Sequence, residues 1–164
     1  DHFHHRLTLD GDSRTEDSMQ DLRSLRQAFS QLDKIAPDLN RAMIDEIQKR
    51  AEELFQQCVR SLEKSLQLWK TADSLASELA QKPIMEQREK LVGEVIGTVE
   101  HMSRTLAAVQ GITKKSDGDA RLQTLRGELD QSLEVAKKVE QRVDSLLNTN
   151  SLNKLNKLNN TSTE

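Results

Sequence analysis

Aromatic residues, glycine, proline and cysteine are all scarce in this chain. Three Phe, one Trp and no Tyr make up 2% of 164 residues, beside six Gly, two Pro and one Cys. β-Sandwiches and barrels need aromatic and β-branched strands joined by many Gly/Pro turns, so an all-β fold is excluded. Collagen-like and Pro-rich architectures fail for want of proline. The single thiol, Cys58, leaves no internal disulfide framework and no multi-cysteine zinc site. Apolar runs are short, as at Leu106-Ala107-Ala108-Val109, far below the roughly 20 residues of a membrane-spanning helix. The formal net charge is only -3, which points to neither a nucleic-acid nor an anionic-membrane partner. The chain opens on Asp1 with neither Met nor a signal-peptide pattern, as expected of a processed product or a fragment. A free thiol suits a reducing cytosol and is compatible with secretion; of the two, a secreted or extracytoplasmic location is favoured.

Helical periodicity is what the chain does contain. Residues 1–14 (DHFHHRLTLDGDSR) lack it and read as a flexible lead-in. Ser13 and Glu16 then have capping-box spacing, and Met19, Leu22, Leu25, Phe29, Leu32 and Ala36 form one stripe of a first helix. Pro37 is suited to the first position of a second helix running to about Ala80, up to about 65 Å long if unbroken. Its wide apolar face includes Ile44, Ile47, Leu54, Phe55, Cys58, Leu62, Leu66, Trp69 and Leu79. Pro83 marks the expected start of a third helix, with Val92, Val95, Val99, Met102, Leu106 and Val109 as a heptad-like seam. Gly93 and Gly97 inside it suggest close helix approach or a weaker segment, and Gly111 reads as a left-handed C-cap. A fourth helix runs from Asp117–Asp119 to about Leu147 on Leu122, Leu125, Leu129, Leu133, Ala136, Val139, Val143 and Leu146.

The expected fold is all-α: an antiparallel up-down bundle of three long helices plus a shorter N-terminal one, with coiled-coil-like packing over 15–150. Acid-before-base pairs such as Glu46/Arg50 and Glu100/Arg104 mark solvated faces. In the tail, 151–164, Leu152, Leu155 and Leu158 recur every three residues, a period that drifts around a helix; the tail reads as mobile or as a weak extension.

Catalytic signatures are missing. The chain has no G-x-G-x-x-G, Walker loop, H-E-x-x-H or C-x-x-C. Thr98 stands three residues before His101, so a di-iron Glu-x-x-His motif fails. No catalytic residue, enzyme activity or cofactor is therefore expected. His2, His4 and His5 could ligate copper, nickel or zinc, but a mobile terminus supplies no fixed second shell, and no metal is expected there. Cys58, on the side of Leu54 and Leu62, reads as a small buried hydrophobe rather than a redox thiol. Trp69, two heptads beyond Phe55, is a core residue by default or an anchor for a partner. Phe55, Leu152, Leu155 and Leu158 are further candidates for partner binding.

Three functions follow from these residues. The first is a non-catalytic interaction protein acting as scaffold, effector or assembly subunit, binding a protein partner or itself through an apolar helix face. An expected overhang of the second helix beyond the third favours it. The second is a secreted amphipathic-helix carrier of lipid or another apolar ligand. In size and all-helical pattern the chain is similar in a general way to exchangeable insect apolipoproteins, without a shared motif and with a longer second helix. Lipid-dependent helicity or Trp emission would separate the two. The third is an extracytoplasmic four-helix sensory domain of a receptor, which needs flanking membrane segments.

Overall fold

The computed structural model describes residues 2–112 and 115–160, with side chains for 2–112 and 117–149. Helices α1 (His2–Leu7), α2 (Ser13–Ser30), α3 (Leu32–Ile35), α4 (Arg41–Asp73), α5 (Glu78–Gln110) and α6 (Lys115–Asn160) follow in order, with a 3-10 turn at Thr8–Asp10. No strand occurs among the described residues. The long helices α4, α5 and α6 pack against one another, and the shorter α2 lies on the α4–α5 pair. This is the all-α bundle that the periodicity predicts. No helix among the described residues is long and apolar enough to cross a membrane.

Caps set the helix starts more closely than the prolines do. Asp12, not Ser13, caps α2, its carboxylate accepting from the Arg14 amide at 3.2 Å. Asn40 caps α4 by accepting from the amides of Ala42 at 3.1 Å and Met43 at 3.4 Å. Pro37 therefore lies in the preceding turn. Each such cap satisfies first-turn amides that lack a partner, worth about 1 kcal/mol. Pro83 does not start a helix but sits inside α5, where its missing N–H costs one bond in an exposed early turn. Gly111 closes α5 with φ -79°, not in the left-handed region. Gly11, at φ 66°, is the glycine that uses that region.

These boundaries remove the expected overhang. The helices α4 and α5 both have 33 residues, whereas α6 has 46 and outruns them. The α6 backbone stays helical to Asn160, past the expected end near Leu147. The side chains of Leu152, Leu155 and Leu158 lie outside the described residues.

Among the described residues two apolar clusters fill the bundle. The larger joins Leu22 and Phe29 of α2, Ile47, Leu54 and Leu62 of α4, Val95 and Met102 of α5, and Leu122 and Leu129 of α6. The smaller, Leu68, Ala72, Ile84, Leu91 and Val143, draws on α4, α5 and α6 alone. The molecule is thus four helices thick at one end and three at the other. Each fully buried Leu contributes about 1.5–3 kcal/mol relative to exposure. Gly118 permits a close approach at the start of α6, where a Cβ would meet Ile112 at 3.3 Å and Leu39 at 3.4 Å.

Residues 2–10 are not an irregular lead-in. Leu7 is fully buried in the larger core and Phe3 packs against it. The absence of a long helical period misleads here because one turn of helix needs only one or two anchors. The α1 segment is too short to be stable alone and owes its helicity to that docking.

Candidate functional site

The structure scatters the residues singled out in the sequence. Phe55 is buried in the larger core, and the Arg26 guanidinium lies 4.7 Å from its ring centroid, so it offers no free face to a partner. Trp69 is half-buried. Cys58 is buried, and burial together with the Glu94 charge pushes its thiol up to about 12, opposed by a hydrogen bond from Thr98. That is the environment of an inert thiol. His2 and His5 are exposed on α1 while His4 is half-buried. Among the described residues no three His, Cys, Asp or Glu side chains converge as a metal requires.

The most buried ion pair among the described residues is one that periodicity did not flag. Arg88 donates from Nη2 to Asp10 Oδ2 at 2.7 Å and from Nη1 to Asp12 Oδ2 at 2.9 Å. The Asp10 side chain is fully buried, and its other oxygen accepts from the Asp12 amide at 2.9 Å. Arg14 then bridges outward, donating to Asp12 at 2.8 Å and to Glu89 at 2.6 Å. The Arg14 and Arg88 guanidiniums hold the Asp12 carboxyl well below the usual carboxylate range, and Arg14 lowers Glu89 likewise. This cluster locks the 3-10 turn and the α2 start onto α5. The available signal was a charge at a core position, four residues after Ile84 and four before Val92.

Charge is arranged very differently along the two seams of α6. The α4–α6 seam is closed by ion pairs. Glu46 pairs with Arg126, Arg50 with Asp130 at 2.5 Å, and Lys64 with both Asp144 and Glu140, the last at 3.3 Å. Gln57 also donates to Glu140. The partners ascend both helices together, so α4 and α6 run parallel.

The α5–α6 seam stays open. Two adjoining hollows of about 440 and 400 Å³ run along it and share His101, Arg104 and Glu128. Thr105 and Arg121 line one end, Glu94, Thr98 and Val135 the other. No ion pair crosses this seam among the described residues; Arg104 reaches only Glu100 on its own helix, loosely at 4.0 Å. Burial without a countercharge raises the Glu94 carboxyl. His101 Nε2 is enclosed and has no hydrogen-bond partner. Gly97 forms part of the wall, and a Cβ there would meet nothing within 4 Å. Gly93 is equally open, so neither glycine serves a close approach inside the chain. The same seam ends in an apolar cleft of about 140 Å³ between Pro83, Ile84, Val143 and Leu146. Nearby on the first turn of α5, Leu79 is 86% exposed.

These side chains can recognise a surface of mixed charge. They do not assemble a nucleophile, a base and an oxyanion site in reach of one reacting atom. Comparison with protein-family models, curated proteins and solved structures finds no match to this chain.

Proposed function

We propose that this chain is a non-catalytic helical-bundle interaction protein that binds a protein partner through its α5–α6 face. The observation that carries the reading is the contrast between the two α6 seams. Cross-helix charges pair along α4–α6, whereas Glu94, His101, Arg104, Arg121 and Glu128 line the α5–α6 hollows without a partner across the seam. A half-buried carboxylate and an enclosed imidazole nitrogen without partners lower stability. A bound surface that supplies the missing charges and donors recovers that loss, which gives the face both affinity and register.

Two features add to it. Val135 beside the hollows is 45% exposed, an apolar element inside a polar frame, as recognition surfaces have. Helix-interior glycines cost roughly 0.5–1 kcal/mol each relative to Ala, and Gly93 and Gly97 have no use for that cost inside the chain. Photo-crosslinking tests the reading. A photoreactive residue at Val135, on the seam, should yield discrete adducts in native extract, and the same probe at Gln20, exposed on α2, should not. Adducts spread equally over both faces, or none at Val135, would overturn it.

A further inference from the structure

We propose that the occupant of the α5–α6 face is a second copy of this chain, packed α5 against α5 in antiparallel two-fold symmetry. This rests on the reading of that face as the recognition surface. Glu94 and Arg104 carry the argument, since both line the same hollow on α5. They stand ten residues apart, about 15 Å along the helix. A two-fold axis passing beside α5 on its open side, at the level midway between them, brings Glu94 of each copy to the level of Arg104 of the other. An isologous interface needs this self-complementarity, in which i meets j and j meets i.

The alternative symmetric arrangement has its axis along the bundle and sets α5 against α6 of the second copy. In it Glu94 meets the level of Val135, so a carboxylate already short of solvent loses more of it. The antiparallel arrangement instead gives each Glu94 a guanidinium. Arg104 is free to move there, because its present partner Glu100 is 4.0 Å away and both side chains are about two-thirds exposed. Gly97 lies close to the axis, where the backbones approach most nearly, and its open wall admits the facing helix. Glu128 then falls opposite the level of Gly97 and Ser132, so the axis brings no like charge directly against it.

Sedimentation equilibrium of the full chain tests this. The expected mass at micromolar concentration is twice the 18.6 kDa of one chain. Glu94→Lys and Arg104→Glu should each weaken association by roughly tenfold or more, and the double variant should recover to within about threefold of the parent. Gly97→Leu should also give monomers. Helical circular dichroism of each variant should match the parent, since all three positions face the open seam. A chain that stays monomeric to millimolar concentration overturns the second copy; adducts still confined to Val135 would then leave the face as a site for another protein. A dimer that ignores all three substitutions forms elsewhere and overturns the second copy as occupant of this face.

Discussion

Arg88 and Asp10 meet at 2.7 Å with side chains 4% and 0% exposed, an ion pair almost wholly removed from water. They stand 78 positions apart in sequence, Asp10 on the 3-10 turn and Arg88 on α5, so the pair pins the N-terminal turn to the bundle. Removing one member strands the other. Arg88→Met should cost about 3–5 kcal/mol in urea unfolding, because Asp10 and Asp12 lose their buried countercharge. Adding Asp10→Asn and Asp12→Asn should recover part of that loss. A cost below about 1 kcal/mol for Arg88→Met would show that the turn is not held this way.

Acid should loosen the same cluster. The folded-state values of Asp12 and Glu89 lie below their ordinary ones. Their contribution is therefore complete above the unfolded carboxylate range near pH 4 and is lost as pH falls through the folded values. Thermal melts between pH 6 and pH 2 should show falling stability only below about pH 4. Asp12→Asn should cost about 1–2 kcal/mol at pH 7 and less at pH 2, which flattens the curve. An unchanged slope in that variant would contradict the assignment.

Two glycines should respond in opposite directions to alanine. Gly11→Ala forces a side chain into φ 66° and should destabilise by roughly 1 kcal/mol or more. Gly93→Ala places a Cβ in open space within a helix and should stabilise the monomer by roughly 0.5–1 kcal/mol. Chemical denaturation of both variants checks the pair, and equal signs would contradict the backbone description.

Cys58 should be silent in the folded chain. With its thiol pushed up to about 12, the thiolate fraction at pH 8 is about one in ten thousand, and the sulfur is buried as well. Ellman's reagent should react within minutes in denaturing urea and not on that scale in buffer. Rapid native labelling would place Cys58 at the surface.

Periodicity made the architecture readable because burial repeats along a helix. Leu22, Leu54, Val95 and Leu129 all fall where their spacing puts them. Boundaries were less readable. Proline marks where an amide is missing, whereas Asn40 and Asp12 supply the oxygen atoms that start helices. Leu79 shows the consequence: it continues the α4 stripe in sequence, yet the chain turns at Ser74–Ser77 and leaves it on α5 in solvent. The Arg88 cluster and the open seam depend on distant parts of the chain meeting. Glu46/Arg50 illustrates why spacing alone misses this, since Glu46 pairs with Arg126 and Arg50 with Asp130 on α6.

Whether the α5–α6 face is where this protein meets another can be read by hydroxyl-radical footprinting. His101 and Val135 on the seam, and Leu9 and Ile35 on the N-terminal side, are compared between dilute monomer and associated protein. His101 and Val135 should lose reactivity on association while Leu9 and Ile35, 53% and 45% exposed, keep theirs. Protection of Leu9 and Ile35 with an unchanged seam would place the contact on the N-terminal side instead.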